Sequence, residues 1–326
     1  AGFTEYMPGR NRGTWSSRVS FIGNWSYPLC SLIAMGLTPL ISAEWNWRVQ
    51  LLIPAILSLI ATALAWRYFP ESPRWLESRG RYQEAEKVMR SIEEGVIRQT
   101  GKPLPPVVIA DDGKAPQAVP YSALLTGVLL KRVILGSCVL IAMNVVQYTL
   151  INWLPTIFMT QGINLKDSIV LNTMSMFGAP FGIFIAMLVM DKIPRKTMGV
   201  GLLILIAVLG YIYSLQTSML LITLIGFFLI TFVYMYVCYA SAVYVPEIWP
   251  TEAKLRGSGL ANAVGRISGI AAPYAVAVLL SSYGVTGVFI LLGAVSIIVA
   301  IAIATIGIET KGVSVESLSI DAVANK

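Results

Sequence analysis

Apolar residues in this chain fall in long blocks, at roughly 17–40, 47–69, 132–159, 168–190, 197–215, 218–245, 257–281 and 285–307, divided by polar connections. A helix rises 1.5 Å per residue, so about 20 apolar residues cross a hydrocarbon core of ~30 Å, and each block comes close to that length or exceeds it. The strict alternation of barrel strands is absent, and lipid offers no water to unpaired backbone groups, so the pattern predicts eight membrane-spanning α-helices. One sizeable polar stretch, 72–130, interrupts them. It opens with Ser72 before Pro73, an N-cap with proline at the first helical position. After Gly80 it carries Ala85, Val88, Met89, Ile92 and Val96 at helical spacing, which predicts an amphipathic helix with a charged outer face. "GKPLPPVVIADDGKAPQAVP" then reads as linker, and "YSALLTGVLLKR" leads into the next span.

Composition agrees with the pattern. The 326 residues are 56% hydrophobic and 13% charged, with mean hydropathy +0.71, which removes an ordinary soluble domain. There is no histidine, so the chain can supply neither a histidine proton relay nor a histidine metal site. Cys30, Cys138 and Cys238 lie within apolar blocks as small fillers, with no zinc-ligand spacing, and no cofactor is expected.

The net charge of +7 would suggest nucleic acid in a soluble chain, but placement decides otherwise. Of 24 Lys and Arg residues, only Arg48 and Lys166 fall in or beside the connections 41–47, 160–167, 215–218 and 282–286. Arg266 is inside a span, and the rest sit in or beside the alternate connections and the tail. The positive-inside rule makes those alternate segments, and both ends of the chain, cytoplasmic; the partner is a lipid bilayer and no nucleic acid is expected.

The chain repeats itself. "TEYMPGRNRG" carries Glu5, Pro8, Arg12 and Gly13, and "PEIWPTEAKLRG" carries Glu247, Pro250, Arg256 and Gly257. A second pair follows: Glu71 in "PESPRWLESRG" stands 66 residues after Glu5, and Glu309 in "IETKG" 62 residues after Glu247, with two spans in each interval. This is a parallel repeat. The later half has four spans before its first element and the earlier half four residues, so four helices are expected to be missing from a twelve-helix protein, and the eight spans are numbered five to twelve. The expected organisation is the rest of an N-terminal bundle over 1–70 (the end of span four, then spans five and six), an intracellular-helix linker over 71–130, a six-helix C-terminal bundle over 131–308 and a cytoplasmic tail over 309–326.

"EYMPGRNRG", "PESPRWL", "MDKIPRK", "PEIWPTEAKLRG" and "ETKG", in that order, resemble the major facilitator superfamily, in its sugar-porter and metabolite-symporter branches. The resemblance implies the major facilitator fold, an all-α membrane protein of two six-helix bundles rocking about a central site, with proton symport across the plasma membrane, bacterial inner membrane type. Within the superfamily, "GSGLANAVGRISGIAAP" and "QYTLINWLPTIF" are similar to spans eleven and seven of niacin-type and organic-ion transporters, in which an arginine at the position of Arg266 accompanies anionic cargo. "AMNVVQYTLIN" departs from the span-seven pattern of sugar porters.

Charged residues at helix ends form one candidate group: Glu5 with Arg12, Asp191 with Arg195, Glu247 with Arg256, and also Glu71, Arg74 and Glu309. They lack a nucleophile, a metal ligand or a glycine phosphate cradle at useful spacing, so the chain is not an enzyme. They suit latches that bias a two-state equilibrium by ~1–3 kcal/mol, or static caps of helix ends. Pairing across the two halves is implied by the resemblance only.

Polar residues inside spans form the other group. Span seven offers Asn144, Gln147, Tyr148 and Asn152 over an arc of about 140°, with Trp153 at its outer part. Span ten offers Tyr234 and Tyr239, span five Asn24, and span eleven Asn262 and Arg266. Each amide or tyrosine alternatively serves helix–helix hydrogen bonding. Arg266 lies nine residues past Gly257, roughly 13 Å in, where arginine costs about 2.5–3.5 kcal/mol unless it meets water or a partner. No acidic residue lies at its depth in these spans. Binding an anionic cargo, snorkelling to the cytoplasmic face, or pairing with a carboxylate in absent helices are the three readings. The sequence thus points to a monomeric secondary transporter of a small carboxylate, with the tyrosines and Trp153 able to stack an aromatic ring and protons as coupling ion. A proton-linked sugar carrier or a non-transporting sensor of the same fold are the alternatives.

Overall fold

The structure is a computed structural model that describes residues 12–68, 71, 73, 76, 80–101, 120–160, 162–190, 192–250 and 253–310. It divides into two compact units, Ala1–Ser16 with Ile41–Ala115, and Ser17–Leu40 with Pro116–Lys326. Span five therefore groups with the C-terminal six spans, because its rings pack there, as described below.

In the first unit, α3 (Ala43–Tyr68) is an apolar helix whose described side chains are all exposed or half-buried. At its start Arg48 lies over the rings of Trp47 and Trp45, at 4.4 and 5.4 Å, and Trp66 and Tyr68 stand exposed at its other end. Aromatic residues at both ends of an apolar helix fit the two interfaces of a bilayer. The amphipathic helix expected after Gly80 is α4 (Tyr82–Thr100). It buries Ala85, pairs Arg81 with Glu84 and Arg90 with Glu86, and ends at Gly101 in the left-handed conformation. The Arg81 guanidinium lowers the Glu84 carboxyl from its ordinary value.

The second unit contains α1 (Arg12–Asn24, of which Ser17 onward belongs here), α2 (Ser26–Leu37), α5 (Tyr121–Leu124), α6 (Gly127–Thr160), α7 (Leu165–Met176), α8 (Gly178–Val189), α9 (Arg195–Ser214), α10 (Met219–Cys238), α11 (Val245–Glu247) and α12 (Lys254–Ile306). Spans seven, nine and ten are α6, α9 and α10. Spans five and eight are each broken, at Trp25 and at Phe177, and proline gives the reason. Pro28 and Pro180 have no N–H for the carbonyls four residues back, on Asn24 and Met176, where α1 and α7 end. The two break residues touch, Trp25 edge-on to Phe177 with centroids 6.3 Å apart, and Phe21 lies 6.1 Å from Phe184.

Spans eleven and twelve form one run of 53 helical residues, α12, interrupted only at Gly284, where φ is +65° and ψ −161°. A straight helix of that length would reach about 80 Å, far beyond a bilayer. The break divides it into two legs, and only glycine takes such a φ without cost. Beyond α10 the chain widens into a π-helical turn, Tyr239–Tyr244, just ahead of Pro246, before α11. Six helices of the described residues are long and apolar enough to cross a membrane; the two legs of α12 and the broken α1–α2 account for the eight spans read from the sequence.

Glycines set the packing. A Cβ on Gly136 would stand 3.3 Å from that of Ala261, one on Gly265 2.8 Å from that of Leu140, and one on Gly269 3.1 Å from the Tyr148 ring. Positions 136, 140 and 148 of α6 thus meet 261, 265 and 269 of α12 in ascending order, so the two helices run parallel, as two odd-numbered spans should. Gly178 and Gly182 likewise press α8 onto the backbone of α10 at Phe227 and Thr231. In lipid, where apolar surface gives helices no reason to associate, such small-residue seams supply the close packing.

Candidate substrate site and helix-end cluster

The first α6–α12 seam ends at an interior polar group. Asn144 and Tyr148 lie one turn apart on α6, with Gln147 beside them; Asn144 and Gln147 are buried and Tyr148 half-buried. The Asn144 amide nitrogen donates to the Leu140 carbonyl at 2.7 Å, while its Oδ1 is buried without a partner. Arg266 leaves α12 one residue after Gly265 and donates through Nη1 to the Tyr148 hydroxyl. Its side chain is exposed, and no carboxylate among the described residues pairs with it. Across from this group, on α10, Tyr234 is buried to 1% exposure. Its hydroxyl lies near Tyr27, Gln147 and Tyr148 but makes no hydrogen bond of ordinary length and angle to any of them. Tyr27 of α2 meets the Tyr234 ring edge-on at 5.1 Å.

The other residues named for this site lie elsewhere. Asn262 is exposed and bonds the Ser258 carbonyl at 2.8 Å, Asn152 is exposed, and Trp153 is half-buried against the core. Asn24, at the span-five break, donates to Ser20 O at 2.7 Å. Tyr239 is fully buried and stacked on Tyr244, centroids 5.0 Å apart, with its hydroxyl over Gly199. It therefore belongs with the second cluster.

That cluster joins the end of α11 to the start of α9. The Arg195 guanidinium grips the Glu247 carboxylate in a fork, Nε to Oε2 and Nη2 to Oε1, both 3.1 Å, and Nη1 donates to Met190 O. Glu309 accepts from the backbone N–H groups of Arg195 at 2.8 Å and Lys196 at 3.1 Å, placing a negative charge on the positive end of α9. Thr310 donates to Glu247 at 2.6 Å, and the Tyr244 hydroxyl both donates to Ile308 O and accepts from Ile308 N, each at 3.0 Å.

The pairing of Glu247 with Arg256 is corrected here: Glu247 is taken by Arg195 and Thr310, and Arg256 lies over the Tyr121 ring at 5.2 Å. Glu71 is exposed. Glu5, Arg74 and Asp191 lie outside the described residues, and Arg12 opens α1. Sequence reasoning missed Tyr27, Tyr244, Thr310 and Arg132. Arg132 is buried and donates to Ile248 O at 3.0 Å, holding the turn that follows Glu247. Tyr27 carried a signal in its neighbour Pro28, which marks the break; the others carried none.

Comparison with known proteins gives one family: the model described as Major Facilitator Superfamily matches residues 1–273. The chain is 44% identical over 321 residues to "Inner membrane metabolite transport protein YdjE" of Escherichia coli (strain K12), covering 98% of this chain and 70% of that protein. It is 24% identical to "Niacin transporter NiaP" of Acinetobacter baylyi, covering 97% and 70%. Among solved structures, the partially occluded inward-open xylose transporter XylE from E. coli is similar with TM-score 0.68 at 19% identity, covering 95% of this chain and 67% of that one, a likeness of fold.

Proposed function

The chain belongs to the Major Facilitator Superfamily of multi-pass membrane transporters, not enzymes, and from that premise we propose that its cargo is a small organic anion. The observation that carries the reading is Arg266: a guanidinium about 18 Å along its leg of α12, bonded to a tyrosine and to no acid among the described residues. A cation at that depth is costly unless something offsets its charge, and a carboxylate received by guanidinium and phenol together does so with charge-assisted bonds. Asn144, Gln147 and Tyr234 complete the proposed site; Asn24, Asn152, Trp153 and Asn262, which lie away from it, are further candidates for cargo contact.

Transport proceeds by alternating access with protons as coupling ion, in a plasma membrane of the bacterial inner-membrane kind, with both chain ends cytoplasmic and the protein a monomer. Arg195, Glu247 and Glu309 clasp one end of the later half into a unit that moves together. Glu5, Arg12, Glu71, Arg74, Asp191 and Arg256 are the further gating residues.

Counterflow of labelled benzoate, nicotinate and glucose into vesicles bearing the full-length protein tests the reading. Anion uptake is expected, falling at least ~10-fold in Arg266→Ala, with insertion unchanged. Uptake of glucose alone would replace it with the sugar-carrier reading; no counterflow of any of the three would favour a sensor.

A further inference from the structure

Two buried polar atoms in the site make no hydrogen bond of ordinary length and angle: Oδ1 of Asn144, and the hydroxyl of Tyr234, which has Tyr27 and Gln147 nearby without bonding geometry to either. The orientation of Asn144 is settled by its neighbour, since the atom facing the Leu140 carbonyl must be the amide nitrogen, which leaves the acceptor free. Leucine and phenylalanine would pack the same space without a buried polar atom left over, and such an atom costs stability. Both are linked to the cation: Asn144 sits one turn from Tyr148 and against Gly265, the neighbour of Arg266, and Tyr234 interacts with Gln147 and Tyr148. An acid that is otherwise hydrocarbon satisfies Arg266 and leaves both atoms unpaired.

Building on the anion reading, we propose that the cargo carries, besides its carboxylate, at least one hydroxyl group, received by Tyr234 and Asn144. Tyr27 acts through Tyr234, its ring edge fixing the phenol at 5.1 Å from the side of α2. It is a positioning residue.

The test uses the full-length protein in proteoliposomes and two pairs of labelled acids, 4-hydroxybenzoate against benzoate and gluconate against hexanoate. The hydroxylated member of at least one pair is expected to be favoured ~10- to 100-fold in kcat/KM, since a site that hydrogen-bonds a hydroxyl rejects the analogue lacking it. Tyr234→Phe and Asn144→Leu should each reduce that preference. Tyr27→Leu should reduce it as Tyr234→Phe does, while Tyr27→Phe keeps it. Equal handling of both members of both pairs, with uptake still dependent on Arg266, overturns the inference and leaves the anion reading standing; this comparison needs no variant to fold. A preference untouched in both Tyr234→Phe and Asn144→Leu also overturns it. Absence of Arg266-dependent uptake of all four acids overturns the anion reading itself.

Discussion

At the scale of single residues, charge is placed by tertiary packing more than by nearness in sequence. Glu247 and Arg256 lie nine positions apart and invite pairing, yet the fold gives Glu247 to Arg195, 52 residues away, because α9 begins where α11 ends. Glu247→Gln keeps the shape and removes half of a forked ion pair. With the carboxylate about a third exposed, the expected loss is about 1–2 kcal/mol, less than a fully buried pair would lose. Thermal unfolding in detergent reads it, and an unchanged midpoint would show that the clasp is ornamental. Arg266 and the Asn144–Tyr148 pair were legible in the sequence, since an arginine deep in an apolar block and amides at one-turn spacing are local signals. Tyr27 was marked only indirectly, by the neighbouring Pro28, its ring partner lying on a distant span, and Thr310 not at all, its partner being a carboxylate 63 residues away.

At the scale of elements, block length alone recovered where the helices lie, but not how they end. The breaks at Trp25 and Phe177 are consequences of Pro28 and Pro180 and were readable; the fusion of spans eleven and twelve was not, because "SSYGVTG" looks like an ordinary loop until Gly284 alone turns the chain. The seams between helices make a sharper claim. A Cβ on Gly182 would stand 2.2 Å from the Thr231 carbonyl oxygen, a backbone atom that cannot swing aside, whereas one on Gly259 meets nothing within 4 Å. Gly182→Ala should therefore lower stability by about 1–3 kcal/mol through overpacking. Gly259→Ala should be neutral or raise it by about 0.5–1 kcal/mol, by restricting the unfolded chain. Equal midpoints for the two variants would contradict the α8–α10 seam.

At the scale of the whole molecule, the parallel course of α6 and the first leg of α12 agrees with two spans that have three crossings, an odd number, between them. Orientation across the bilayer rests on charge. In a background with Cys30, Cys138 and Cys238 replaced, single cysteines at Ser42, Gly162 and Gln216 should react with a membrane-impermeant maleimide added outside cells, and cysteines at Ser91 and Lys192 only after lysis. The opposite pattern would invert the topology.

The single-residue turn at Gly284 carries a practical corollary. With the chain reversed at one residue, the last two helices offer no slack for a protease to cut or an epitope tag to occupy. Insertions at that point should abolish expression, and antibodies or fusion partners will have to be attached at the opposite ends of those helices.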